Sequence, residues 1–432
     1  MRRYLKKIGG QISLLRADPE RFARNLTQFT HPALFAERLV DVQHVVPMHV
    51  RVEPAHAKPG RLRTLHVLDA AWTRSGMTGG PNTVVNLACR VAQQGVTVQL
   101  VSTTAPASLD PAWFHAHAKS LLGGADVPDI AIASASDAAA PLVIGADDMF
   151  LATHWTTAQQ LKPVLPQMNS QRFFYMLQEF EPAFHAWSSN YARAIETYGM
   201  DFWPIVNESV LADFLFEQRF GRLSDPETRA RAMVFEPAVD MALFHPQPQT
   251  PGAVASRPRR LLFYARPSNP RNMFGLGLLA LREAAADPAF AGWEFLAIGS
   301  RSSVPELDLD AGHVLRRAPW LDYAGYARLL GQADILLCPM LSPHTSYPVL
   351  EMAACGGLSV TNIFATKTAA VLAAMSSSIV AVEPTVEGFT SGLIAAARRA
   401  GETRSAEIGM PRRWAESLDP VAVRIALAFS QV

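Results

Sequence analysis

One arrangement, met twice, limits what this chain can fold into: a short buried strand, a polar turn, a helix, then another strand. The first copy begins at Thr64-Leu65-His66-Val67-Leu68, an apolar run too short for a helix and bounded by turn residues. The turn Gly76-Met77-Thr78-Gly79-Gly80 follows, and a helix is predicted from near Pro81 with Val84, Val85, Leu87, Ala88 and Val91 as its apolar face. Gly95 closes it, and Val96-Thr97-Val98-Gln99-Leu100-Val101 reads as the next strand. The second copy starts beyond the Pro-rich stretch 245–258, with a strand at Arg260-Leu261-Leu262-Phe263-Tyr264, a helix over 272–286 and a strand over 293–299. Further strands are predicted at 149–152, 172–176, 334–338 and 358–362. Strands alternating with helices build parallel sheets. The expected fold class is therefore α/β, with two Rossmann-like parallel-sheet domains facing each other across a cleft. Such sheets take their ligands at the carboxyl ends of their strands.

The expected divisions are a helical extension over 1–59, a first α/β domain over 60–245, a second over 246–410, and a final helix over 411–432 that crosses back to the first domain. Residues 1–30 carry seven basic residues against two acidic ones, with Ile8, Ile12, Leu15, Phe22, Leu26 and Phe29 at helical spacing. The favoured reading is a face packed on the main body, because Asp18-Pro19-Glu20 interrupts the pattern. The other reading is a peripheral contact with anionic lipid at the inner face of the membrane.

Composition excludes several classes. Lys plus Arg number 39 and Asp plus Glu 38, so nucleic acid is not an expected partner. Three dispersed cysteines, Cys89, Cys338 and Cys355, build neither a disulfide framework nor a cysteine-rich zinc site. The apolar stretch 369–382 contains Ser376-Ser377-Ser378 and is too short to span a bilayer. The basic start leads into Gly9-Gly10-Gln11 rather than an apolar core, so no secretory leader is expected and the compartment is read as cytoplasmic.

Three segments carry chemistry. The glycine turn lets backbone approach a ligand, but its spacing matches neither the dinucleotide fingerprint nor a P-loop, and an ordinary tight turn fits it equally. Arg74 beside it is placed to help hold an anion or acceptor. In Phe263-Tyr264-Ala265-Arg266-Pro267-Ser268-Asn269-Pro270-Arg271, two arginines stand where ligands dock, and guanidinium forks suit a diphosphate. In the run 339–357, a strand ends at Cys338 and a helix opens near Pro348. Ser346 and Tyr347 would stand at its positive tip to meet a phosphate. Glu351 lies one turn in. A carboxylate repels phosphate, so it is assigned to sugar hydroxyls, though it also suits the helix dipole. Asp308-Leu309-Asp310 reads as a solvated loop, Asp147-Asp148 as a turn, and Trp320 as core in preference to the border of a base. No metal and no cofactor is expected.

Several of these stretches together resemble the family-4 glycosyltransferases of the GT-B fold. Gly79-Gly80 resembles the amino-domain glycine loop, and Thr153-His154-Trp155 the position of the active-site histidine. The run 236–246 resembles the interdomain P-x-G-V-D-x-x-x-F-x-P signature, with Ala238 where glycine is usual. Arg266 resembles the phosphate arginine, and Leu350-Glu351-Met352-Ala353-Ala354-Cys355-Gly356 the E-A-M-A-C-G helix. The chain departs from that pattern at Pro343, where a first glutamate is common, and at Asn272, where a phosphate lysine is common and Arg271 is the neighbouring cation. More narrowly, the runs 174–182, 263–267 and 342–348 resemble WsaF-type rhamnosyltransferases of bacterial surface polysaccharides, which also lack the first glutamate.

The resemblance implies a nucleotide-sugar donor, dTDP-L-rhamnose, a glycan or lipid-linked glycan acceptor, and retention of configuration. His154, by its strand-end position, and Glu179 are the first-domain candidates facing the sugar, with Glu181 the alternative to Glu179 and a solvated surface carboxylate the competing reading. Two other functions share this architecture: a nucleotide-sugar epimerase, which needs no acceptor, and a silent glycan- or nucleotide-sugar-binding subunit, which shows no turnover. A dinucleotide oxidoreductase is disfavoured by the glycine spacing.

Overall fold

The computed structural model describes residues 45–54, 60–246, 258–300, 306–401 and 406–431. Two seven-stranded sheets organise them. In the first, the spatial order is Ala131–Ser134, Thr97–Ser102, Thr64–Asp69, Met149–Ala152, Phe173–Leu177, Phe202–Asn207, Met233–Phe235, all parallel. In the second it is Leu307–Asp308, Val314–Arg317, Glu294–Ile298, Arg260–Tyr264, Ile335–Leu337, Leu358–Asn362, Ile379–Val382. Only the two-residue edge strand there runs antiparallel. Strands such as Met149–Ala152 and Leu358–Asn362 are buried at every position, as strands covered by helices on both faces must be.

Each sheet therefore has two apolar layers. In the first domain one layer joins Leu65, Val84 and Leu87, and the other joins Leu68, Phe150 and Tyr175. The helix Gly79–Gln93 supplies Val84, Val85, Leu87 and Val91, and Gly95 after it takes φ +86° where the chain turns away. The final helix, Trp414–Gln431, buries Leu418, Val421, Ala422 and Ile425 in that first layer. Arg90 on Gly79–Gln93 pairs with Asp419 on it. The chain thus leaves the second domain and ends on the first.

Two sequence readings change. Val50–Glu53, within the helical extension expected over 1–59, is a strand paired in parallel with Leu142–Gly145 in a separate small sheet. Its Val-Arg-Val-Glu alternation is only four residues long and its partner lies ninety residues on, so the sequence offered little signal. The helices expected within 1–44 lie outside the described residues. The apolar stretch 369–382 divides into a helix, Ala369–Met375, and a strand, Ile379–Val382. Among the described residues no helix is long and apolar enough to cross a membrane.

Candidate active site

Strand order reverses once in each sheet, and the crevice at such a reversal is where open α/β sheets bind ligands. In the first sheet the reversal lies between Thr64–Asp69 and Met149–Ala152. The glycine turn follows one of these strands and Thr153-His154 the other. In the second it lies between Arg260–Tyr264 and Ile335–Leu337. Arg266 and Arg271 follow the first of that pair, and the loop 338–346 the second.

The helix expected near Pro81 begins at Gly79, so Gly79 and Gly80 form its tip. A side chain at Gly79 would meet nothing within 4 Å, whereas a Cβ at Gly80 would lie 3.4 Å from the Gln178 side chain. First-turn N–H groups have no partner inside a helix, so these two amides are available to an acceptor of hydrogen bonds. The Arg74 guanidinium lies over the Trp113 ring.

Arg271 turns inward. Its Nε stands 3.4 Å from Glu179 Oε2, and its guanidinium lies over the Phe184 ring at 4.6 Å. Burial lowers its pKa, with Arg266 nearby acting in the same direction. The other oxygen of Glu179 accepts from the Phe180 amide and from the Ser342 hydroxyl of the second domain. Arg266 lies over the Tyr264 ring and forms no ion pair among the described residues. Two guanidinium groups that disfavour each other, one of them without a carboxylate, make a place where an added anion is stabilised. Asn272, where the family lysine would stand, is fully buried and donates to Pro339 O, so it contributes no charge.

Glu179, Arg271, Ser342, Pro343, Phe180, Phe184, Phe214, Leu341 and Phe364 line a cavity of about 90 Å³ between the domains. Sites for drug-sized ligands run from roughly 300 to 1,000 Å³. This cavity is much smaller than that. Hydrogen bonds join the two domains: Thr345 N–H donates to Glu208, Asn207 donates to the Tyr347 hydroxyl, and Thr366 donates to Val210 O at 2.7 Å.

Glu351 is 7% exposed and receives the Tyr326 hydroxyl at 2.9 Å and the Tyr323 hydroxyl at 3.3 Å. Burial pushes its carboxyl up to about 7, against the two hydroxyl donors, which pull it down. Phe244, from the interdomain signature, packs edge-on against both tyrosine rings. Burial raises the Tyr264 hydroxyl and the Cys338 thiol, and the charges of Arg266 and Glu351 act on both in opposite directions. After the helix Tyr347–Ala354 the chain needs glycine at position 356 for its conformation, since Gly356 takes φ +77°.

The helix Tyr347–Ala354 does open where expected, but its side chains are already engaged. Ser346 is 3% exposed, its N–H donates to His344 Nδ1 at 3.0 Å, and its hydroxyl meets Cys338 Sγ. Tyr347 spends its hydroxyl on Asn207 across the domain boundary. Asn207, the partner of Tyr347, comes from a strand 140 residues earlier in the chain, whereas His344 and Cys338, the partners of Ser346, lie within its own loop and at the end of the strand before it.

His154 caps the helix Trp155–Leu161 through Nδ1 and stacks on Phe184, one ring removed from the cavity. Burial lowers its pKa to about 4, with His185 adding to the shift, so it is a neutral imidazole at pH 7. Glu181 is buried, and its carboxylate accepts the Trp155 amide while burial raises its pKa. It supports the fold, which leaves Glu179 as the carboxylate at the cavity. Trp320, read as core, is 55% exposed. Asp308 and Asp310 are exposed, as read, but Asp308 belongs to an edge strand rather than a loop. Asp148 is 2% exposed and bonded to His66 and Arg61, a buried knot rather than a plain turn.

Sequence reasoning missed Lys367 and Glu208. Lys367 is fully buried, donates to Met340 O at 2.9 Å, and has its pKa lowered to about 8 by burial, with Cys338, Glu179 and Glu208 opposing the shift. Glu208 is fully buried, and burial raises its carboxyl. Both follow strand ends, Leu358–Asn362 and Phe202–Asn207, and that position was the available signal. Asp69, at the first reversal, is likewise raised by burial and accepts the Ala71 amide at 3.1 Å.

Two facing sheets, each reversed beside the cleft, define the GT-B fold of glycosyltransferases, and comparison with solved structures agrees. Sucrose-phosphate synthase from Thermosynechococcus elongatus superposes with a TM-score of 0.52 at 12% identity, over 85% of this chain and 98% of that one. The catalytic domain of starch synthase IV from Arabidopsis thaliana, bound to ADP and acarbose, gives 0.52 at 12%, over 85% and 99%. Residues 67–207 match the model of the WsaF N-terminal domain and residues 259–394 that of the WsaF C-terminal domain, together well over half of the sequence. The chain belongs to the WsaF family. It is also 36% identical over 229 residues to the O-antigen biosynthesis protein RfbC of Myxococcus xanthus, a match that takes in 51% of this chain and 16% of that protein.

Proposed function

We propose that this chain is a glycosyltransferase that moves L-rhamnose from dTDP-L-rhamnose onto a growing bacterial surface glycan, with retention at the anomeric carbon. The observation that carries the reading is the pair of arginines after the strand at the second sheet's reversal: Arg271, which meets Glu179 at the cavity, and Arg266, which lies over Tyr264 and close enough to be felt by Arg271. In the transfer, the bond from the anomeric carbon to the diphosphate oxygen breaks. Negative charge then grows on the leaving group and positive charge on the sugar. Arg266 and Arg271 stabilise the first, helped by the amide groups of the tip at Gly79-Gly80. Glu351 holds the sugar ring of the nucleoside. Glu179, with neutral His154 behind Phe184, faces the transferred sugar and the incoming hydroxyl.

The apolar part of the cavity wall, Phe180, Phe184, Phe214, Leu341 and Phe364, offers the methyl group of a 6-deoxy sugar apolar contacts and so supports that sugar class. The relative's part in O-antigen biosynthesis supports a surface glycan as acceptor. The cavity is smaller than the donor, so on this reading it takes in only the transferred sugar end unless the domains part. On this reading residues 1–30 pack on the main body in preference to a contact with anionic lipid, and the domains divide near residue 245.

Thermal shift tests the donor. We expect dTDP to raise the melting point and UDP, GDP and ADP to do so much less, since a ligand at a hundred times its Kd adds about 2.7 kcal/mol of stability. Equal shifts with all four, or none, would remove the thymidine assignment. Labelled dTDP-rhamnose then separates transfer from epimerisation, because only transfer depends on an added glycan.

A further inference from the structure

Trp187 is 90% exposed and sits at φ +29°, a backbone region that bulky residues avoid. An indole left in water on strained backbone contributes nothing evident to folding, and such features concentrate at binding sites. It is not isolated. Its ring lies 5.3 Å from Tyr191, whose ring lies 6.3 Å from Phe180, a wall of the interdomain cavity. Three residues before it, Phe184 lines the same cavity and is 36% exposed, with Leu341 across from it 40% exposed. The partly exposed Phe184 and Leu341 thus form an apolar mouth to the cavity, and the rings of Phe180, Tyr191 and Trp187 make an aromatic step that runs from its wall to the surface of the first domain. The helix Ser189–Thr197 fixes the outer end of that step, since Ser188 caps it at the Tyr191 amide.

We infer that Trp187 is the platform on which the acceptor glycan docks, its indole face covering the C–H face of a pyranose one or more units back from the reacting hydroxyl. This rests on the transfer reading, which it deepens by giving the acceptor a location. Continuity of the ring contacts with the cavity favours a glycan over other occupants. A chain threading into the mouth would reach Phe184 first and Trp187 next, at most about 10 Å of backbone apart. A flat, rigid aromatic surface suits a ring that offers apolar C–H groups on one face and hydroxyls at its edge.

The test is direct binding, independent of turnover. The protein, labelled with 15N at its tryptophan indoles, is titrated with a panel of short synthetic oligorhamnosides and oligoglucosides, the Trp187 signal being identified by its loss in Trp187→Phe. We expect at least one glycan to move that signal, Trp187→Ala to bind it about tenfold more weakly, and Trp187→Phe to stay within about threefold of the native protein. Calorimetry with dTDP should give the same affinity for all three proteins, which also shows that each is folded. Glycan binding that leaves the Trp187 signal unmoved overturns the inference, as does failure of the whole panel. A signal moved by phosphatidylglycerol vesicles and by no glycan overturns it in favour of a lipid contact. Glycan binding at Trp187 with no affinity for dTDP upholds the platform and strikes the donor reading instead.

Discussion

Replacing Arg266 with alanine is expected to lower the transfer rate a hundredfold or more with little change in melting temperature. Removing one positioned donor from a developing negative charge costs about 2–4 kcal/mol of barrier, and each 1.36 kcal/mol is tenfold in rate. The stability side follows from what Arg266 touches. It lies over Tyr264 at 5.8 Å and pairs with no carboxylate among the described residues, so its loss breaks no salt bridge there and leaves no buried charge behind. Arg271 differs: its truncation would strand Glu179, which is 8% exposed, and a fall in rate would then be confounded with loosened domains. Arg266 is thus the cleaner probe. Arg266→Lys should recover only part of the rate, since an ammonium is a point charge and lacks the fork that spans two phosphate oxygens. The measurement is initial-rate transfer of labelled sugar beside circular dichroism and a melting curve. Native turnover in a folded Arg266→Ala protein would remove the assignment of the leaving-group site.

How much of this was legible in the sequence depended on whether a residue's role is set locally. Met149–Ala152 and Leu358–Asn362 could be read to the residue, because strands buried on both faces leave continuous apolar runs. Arg266 could be read because it follows such a strand. Helix starts were off by a residue or two, as at Gly79, where Pro81 drew attention although proline fits any position of a first turn. The failures were partners far along the chain. The place of Ser346 and Tyr347 was legible, but their engagement was not, since it depends on Asn207 and on the fold of the loop before them. Lys367 is a single lysine in an unremarked loop. Only the folded domain shows that it is buried beneath Met340 and His344 as one of the cations of the cleft.

Glu351 should reveal itself through pH. Its carboxyl is held up to about 7 by burial, against 4.5 for an ordinary glutamate. The folded protein therefore keeps a proton that the unfolded chain gives up as pH rises past 4.5. This one group lowers stability as pH climbs from about 4.5 to 7, and its effect levels off above 7. The shift is worth on the order of 3 kcal/mol. Other buried carboxyls, Glu181 and Glu208 among them, are raised as well and add to any native profile. The difference between Glu351→Gln and the native protein isolates the term, because glutamine keeps the shape and stays neutral. We expect that variant to gain in melting temperature relative to native between pH 5 and pH 8, with most of the gain below about pH 7. A difference that does not change with pH would mean that Glu351 is ionised throughout. Function should oppose stability. An ionised Glu351 accepts hydroxyl hydrogen bonds from the nucleoside sugar, so nucleotide binding draws the proton off and dTDP affinity should rise as pH passes 7. Glu351→Ala should weaken dTDP binding more than it slows transfer at saturating donor. Glu351→Gln should lose more affinity at pH 8 than at pH 6. The same burial that makes this carboxylate costly to ionise makes it a strong acceptor once ionised, and a dTDP dissociation constant unaltered in both variants would break that link.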